Sequence, residues 1–125
     1  MTLDERIDAI ESAYEFMLAY AAQGRMSDKG SGAASELRDY LRRMEDALDG
    51  LGNTIAGQLS SKRISAFTDA AAEDAERALA LVRLVLAKDA ISSQLIDNVN
   101  ASIHLRALLT DLFVIDESLK SGAES

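Results

Sequence analysis

The chain has 125 residues, of which 21 are acidic and 13 basic, giving a formal net charge of −8. It contains no proline, cysteine or tryptophan. The acidic charge disfavours general nucleic-acid binding and attachment to anionic membranes, the lack of cysteine excludes disulfides and thiol chemistry, and the lack of proline argues against an all-β fold with its many turns. A single domain over residues 1–125 is expected at this length.

The first helix is predicted over residues 3–23. Thr2 and Glu5 stand at the spacing of a capping box, in which each side chain accepts a hydrogen bond from the backbone amide of the other. Apolar residues then recur at intervals of four and three, which indicates one buried stripe; they are Leu3, Ile7, Ile10, Tyr14, Met17 and Ala21. Gly24 is expected to end the helix, and the Gly- and Ser-rich residues 24–33 are expected to form a mobile loop.

A second helix is predicted over residues 34–58. Its stripe has the same spacing and consists of Leu37, Leu41, Met44, Leu48, Leu51 and Ile55. Three glycines, Gly50, Gly52 and Gly57, lie in its C-terminal half and disfavour a helix there. They leave three alternatives open: an end near Gly50, fraying beyond it, or close contact with a neighbouring backbone.

A third helix is predicted over residues 62–88 and a fourth over residues 90–120, with a disordered tail at 121–125. The third stripe reads Ile64, Phe67, Ala71, Ala75, Ala78, Val82 and Val85. The fourth runs through Ile91, Leu95, Ile96, Val99 and Ile103 and continues with Leu105, Leu108, Leu109, Leu112 and Phe113. No sharp break separates these helices, so one bent helix over 64–120 is the alternative to two antiparallel ones.

These elements predict an all-α fold, an antiparallel four-helix bundle. Apolar residues on the third and fourth helices exceed what one face of each helix needs, and the stretch Leu79–Ala87 is apolar nearly all round. This excess favours a homodimer over a monomer.

His104 is the only histidine in the chain, which excludes a site built from several histidines. The Glu-x-x-His pattern of di-iron bundles is absent, because Ala101 stands three residues before His104. A lone histidine on a bundle helix could transfer phosphate, but the Lys and Gly that follow such a histidine at the third and fourth positions are replaced by Ala107 and Leu108. Phosphotransfer through His104 is therefore the alternative hypothesis, and no metal or cofactor is predicted.

Candidate partner-binding residues fall into two groups. An aromatic and methionine cluster on the first helix has the composition of interface anchors, although a core role is the commoner outcome for such residues. A set of arginines provides the positive charge, with self-pairing to nearby acids as the alternative. The candidates are Tyr14, Phe16, Met17, Tyr20, Arg38, Arg42, Arg43 and Arg83.

The sequence thus favours a non-enzymatic, protein-binding bundle that acts as an adapter, a regulatory subunit or a dedicated chaperone. No Gly-x-Ser-x-Gly elbow, phosphate-binding loop or dinucleotide fingerprint is present. A small-molecule pocket lined by Met17, Met44, Phe67 and Phe113 is a third possibility. The acidic N-terminal segment does not resemble a signal peptide and no apolar run is long enough to span a membrane, so a cytoplasmic location is expected.

Overall fold

The computed structural model describes residues 1–30 and 32–122, and this part of the chain is entirely helical apart from its connections. The six α-helices and one 3-10 turn are α1 Leu3–Ala21, α2 Gly32–Leu48, α3 Leu51–Gln58, the turn Lys62–Ile64, α4 Ser65–Leu86, α5 Ser93–Ala101 and α6 Ile103–Gly122. The predicted all-α class is confirmed. Across the described ranges, no helix combines the length and hydropathy needed to cross a bilayer.

The structure corrects two of the four predicted helices, since each is divided in two. The helix predicted over 34–58 breaks at Gly50, whose φ of +83° lies in the left-handed region that glycine adopts without a steric penalty. The helix predicted over 90–120 breaks at Ser102, whose backbone is extended. Residues 121 and 122, predicted to belong to a disordered tail, are the last residues of α6, which continues to Gly122. Residues 123–125 lie outside the described residues.

The helices pack around one aliphatic core. Helix α1 packs against α2 and α5, while α4 packs against α2, α3 and α6. All six members of the second predicted stripe are buried, although the stripe crosses the break at Gly50. The capping box of Thr2 and Glu5 is also present, with both reciprocal hydrogen bonds formed.

Two arginines satisfy helix C-termini that belong to other helices. The last carbonyls of a helix lack intrahelical donors and carry partial negative charge, so a cation there is favourable. The guanidinium of Arg6 on α1 donates to the carbonyls of Ala47 (2.9 Å) and Asp49 (2.7 Å) at the end of α2. The guanidinium of Arg38 on α2 donates to the carbonyls that follow α4, those of Lys88 and Asp89, at 2.9 and 3.1 Å.

The described part of the loop between α1 and α2, for which the sequence predicts mobility, forms hydrogen bonds with the rest of the fold. Asp28 is buried, and its carboxylate accepts hydrogen bonds from Arg38 Nε (2.7 Å) and from the backbone amide of Ile91 (2.8 Å). Ser93 Oγ accepts from the amide of Arg25 and donates to the carbonyl of Tyr20. These contacts fasten the loop to the connection between α4 and α5, while Ser31 lies outside the described residues.

Candidate protein-binding surface

Helix α6 has one buried face and one exposed apolar face. The break at Ser102 starts α6 as a separate helix, and the hydroxyl of Ser102 accepts a hydrogen bond from the amide of His104 in its first turn. A set of aliphatic side chains then points inward; Leu105, Leu108, Leu109, Leu112 and Ile115 are all buried. Because these inward residues fill the contact with the core, the opposite side of α6 is left to solvent.

Three large apolar side chains lie on that solvent side. Ile103 is 74% exposed, Phe113 54% and Val114 52%, which makes α6 the helix with the most exposed large hydrophobic residues in the described part of the chain. Phe113 and Val114 border a shallow depression of about 380 Å³, together with Glu117 and Ser118. Single exposed hydrophobic residues are ordinary, but a group on one helix indicates a contact surface.

Five exposed residues of α6 follow one another at intervals of three, four, three and four residues, and Val114 lies beside the fourth of them. They are Ile103, Arg106, Thr110, Phe113 and Glu117. This spacing places them on one stripe of the helix, of the kind that packs against another helix. We call these six residues the outer face of α6. It was not predicted as such, because Ile103 and Phe113 were assigned to the buried stripe.

The outer face carries one positive and one negative side chain, Arg106 near its start and Glu117 near its end. Both are exposed. Neither forms an ion pair with another residue in the described ranges, although Lys120 lies close enough to Glu117 to feel its charge. The two charges are therefore available to a partner.

Two residues of the predicted aromatic and methionine cluster lie in the core, and the other two are partly exposed. Met17 and Tyr20 are fully buried, and the hydroxyl of Tyr20 donates to the carbonyl of Ile91 (2.6 Å). Burial raises the pKa of Tyr20, so the phenol stays protonated and can donate. Tyr14 and Phe16 are half-buried. Met17 and Tyr20 thus have no surface to offer a partner in this conformation.

A small aromatic stack remains accessible where α1 meets α2. The rings of Phe16 and Tyr40 are parallel-stacked with centroids 4.6 Å apart, and the guanidinium of Arg43 lies 5.5 Å from the Tyr40 ring centroid. These distances suit an aromatic pair and a cation–π contact. The stack fixes Arg43 against its own helix.

The other predicted arginines make contacts within the chain. Arg38 is partly buried and pairs with the buried carboxylate of Asp28. Arg42 lies 3.6 Å from Asp39 on the same helix, a pairing with a nearby acid. Arg83 joins α4 to α2 through Glu45 (3.1 Å) and lies 3.7 Å from Asp49.

A pair of carboxyl groups lies between α4 and α6, and sequence reasoning missed it. The side chains of Asp74 and Asp111 lie close enough to interact electrostatically, and Asp111 Oδ2 is buried without a hydrogen-bond partner. Burial and the interaction with Asp74 raise the pKa of Asp111 from 3.8 to about 7. With that pKa, the pair retains one proton as the pH falls below about 7. The available signal was that Asp111 interrupts an otherwise apolar stripe.

A surface groove and the single histidine are the remaining candidate sites for a ligand or for chemistry. A surface groove of about 850 Å³ runs between α3 and α4; none of Met17, Met44, Phe67 and Phe113, the residues of the predicted pocket, lines it. His104 is exposed in the first turn of α6. In the described part of the chain, no cluster of three or more His, Cys, Asp or Glu side chains is arranged to hold a metal ion.

No known protein family, curated protein or solved structure matches this chain.

Proposed function

We propose that the protein is a non-enzymatic binding module that contacts another protein through the outer face of α6. The observation that supports this proposal is that three large apolar side chains, each more than half exposed, lie on one side of one helix. They are Ile103, Phe113 and Val114. Burying a large apolar side chain contributes about 1.5–3 kcal/mol, so a partner that covers these three gains a substantial part of a binding free energy. An adapter, a regulatory subunit or a dedicated chaperone in the cytoplasm would work in this way.

The architecture gives the outer face a rigid support. We propose that α2 with α3, and α5 with α6, each act as one bent helix, so that the six helices form a four-helix antiparallel bundle. The packing of α1 against α2 and α5, and of α4 against α3 and α6, supports this arrangement. A rigid face on a helix presents its side chains to a partner with little loss of conformational entropy on binding.

Site-specific photo-crosslinking tests the proposal. A photoreactive phenylalanine analogue at Thr110, in the middle of the outer face, should give protein adducts in cells of the source organism. The same analogue at Gln94, an exposed position on α5, is the matched control. We expect adducts from position 110 that disappear when Phe113→Ser is added, and none from position 94. Absence of any protein adduct at position 110 would exclude the proposed surface.

Phosphotransfer remains the alternative function, and the exposure of His104 is the observation that favours it. A solvent-exposed imidazole can reach a phosphorylated aspartate on another protein. Incubation with phosphorylated receiver domains would label the wild type and leave His104→Gln unlabelled. Equal labelling of the two proteins, or none, would remove this alternative.

A further inference from the structure

The outer face of α6 has the residue spacing of a helix that packs along a second helix. Ile103, Thr110 and Glu117 are separated by seven residues each, with Arg106 and Phe113 between them. Two such faces pack side by side when their stripes align along a common axis. The surface is therefore suited to a long helical partner.

The charges on this face restrict which helical partner fits and in which direction. Arg106 and Glu117 are eleven residues apart, which is about 16 Å along an α-helix. A second copy of α6 running antiparallel brings each Arg106 opposite Glu117 of the partner subunit, so both charges are neutralised at once. A parallel copy would bring arginine against arginine and glutamate against glutamate.

We propose that the outer face of α6 binds the same face of a second copy of this chain, antiparallel, with Arg106 against Glu117 of the partner subunit. This inference rests on the proposed function, because it names the partner of the same surface. The twofold axis passes midway between the two charges, at the level between Thr110 and Phe113, and it makes the contact isologous. Phe113 then packs on Thr110 of the partner subunit.

The expected dimer is weak. A single pair of helices buries less than the roughly 1,600 Å² of a standard protein interface, and the net charge of −8 per chain adds repulsion between the copies. A dissociation constant on the order of 10–100 µM is expected. Salt at about 150 mM limits the long-range repulsion to a Debye length of about 8 Å.

Charge reversal in the full-length chain, followed by sedimentation velocity over a concentration series, tests the direction and register. Arg106→Glu places two glutamates at each end of the contact, and Glu117→Arg places two arginines there. Each variant should raise the dimer dissociation constant at least about tenfold, since two ion pairs become two repulsive pairs. An equimolar mixture should dimerise like the wild type, because the introduced glutamate of one variant then meets the introduced arginine of the other.

Arg63→Glu, an exposed charge reversal in the turn before α4, is the matched control and should dimerise like the wild type. Circular dichroism of every variant verifies that the helices are retained. A wild type that stays monomeric throughout the series overturns the proposed self-association. Binding to a different protein is tested separately, by the crosslink at position 110. A dimer that both single variants form as well as the wild type overturns the antiparallel α6 contact.

Discussion

The guanidinium of Arg38 and the carboxylate of Asp28 meet across 2.7 Å in a position where Asp28 is almost completely buried. Burial alone would raise the pKa of Asp28, but the hydrogen bonds from Arg38 and from the Ile91 amide outweigh it and lower the pKa. Arg38 also donates to carbonyls at and just beyond the end of α4. One ion pair therefore links the first loop, α2 and the connection after α4.

Removing one member of this pair should destabilise the fold strongly. Asp28→Ala leaves the guanidinium of Arg38 partly buried without its counterion and leaves the Ile91 amide without an acceptor. A loss of about 3 kcal/mol in the free energy of unfolding is expected, measured by urea denaturation. Arg42→Ala, which removes a half-exposed arginine from a 3.6 Å surface pair, should cost less than about 1 kcal/mol. Equal losses for the two variants would contradict the structural role of Asp28.

Gly52 and Gly57 lie on the same short helix but should respond oppositely to alanine. A Cβ at position 52 would lie 2.7 Å from the Cβ of Ala72 and 3.2 Å from its Cα, so Gly52→Ala forces α3 away from α4. A Cβ at position 57 meets nothing within 4 Å. Urea denaturation should show a loss of about 1–3 kcal/mol for Gly52→Ala and a gain of up to about 1 kcal/mol for Gly57→Ala. Stabilisation by both substitutions would contradict the close approach of α3 to α4 at Gly52.

The residues that sequence reasoning placed correctly are those whose environment follows from regular spacing along the chain. The second stripe, from Leu37 to Ile55, is wholly buried, because its regular spacing defines only one apolar side. The capping box at Thr2 depends only on two residues three positions apart, so the sequence was sufficient to predict it. The close approach at Gly52 was among the alternatives that the glycines left open.

The features that sequence reasoning missed depend on helices meeting in space or on a change of helical phase. Asp74 and Asp111 are far apart in the chain and become a pair only when α6 packs on α4. The extended backbone at Ser102 interrupts the last helix. The stripe therefore does not continue in phase across it, and Ile103 and Phe113 fall on the exposed side instead of the core.

The surface assignment of Phe113 leads to a prediction about stability. Leu112 is fully buried, whereas its neighbour Phe113 is 54% exposed. Leu112→Ala should therefore lower the free energy of unfolding by about 2–4 kcal/mol through the cavity it creates, and Phe113→Ser should lower it by less than about 1 kcal/mol. The two variants should be compared by denaturation at low micromolar protein concentration, because a weak dimer is dissociated there and only the stability of the monomer is measured. A larger loss for Phe113→Ser would place that ring in the monomer core.

The carboxyl pair predicts a pH dependence of stability whose sign follows from the direction of the pKa shift. The pKa of Asp111 is about 7 in the folded chain and 3.8 as the reference for the unfolded chain, so the folded state binds the extra proton between these values. The stabilising contribution is complete below about pH 4 and is lost as the pH rises through 7. The full shift corresponds to about 4 kcal/mol, which solvent screening of this partly exposed group reduces to about 1–2 kcal/mol.

Asp111→Asn isolates this contribution, because the amide donates to Asp74 at every pH without needing a proton. The variant and the wild type should have similar free energies of unfolding near pH 4, and the variant should be more stable by about 1–2 kcal/mol at pH 8. Urea denaturation at a series of pH values gives the difference in free energy of unfolding between the variant and the wild type. The contributions of other groups, such as Asp28, are the same in both proteins and cancel in this difference. Asp97→Asn, at an exposed position on α5, should follow the wild-type profile. If the profiles of Asp111→Asn and the wild type run parallel from pH 4 to pH 8, Asp111 does not hold the shared proton, and α6 is fastened to α4 by its apolar contacts alone.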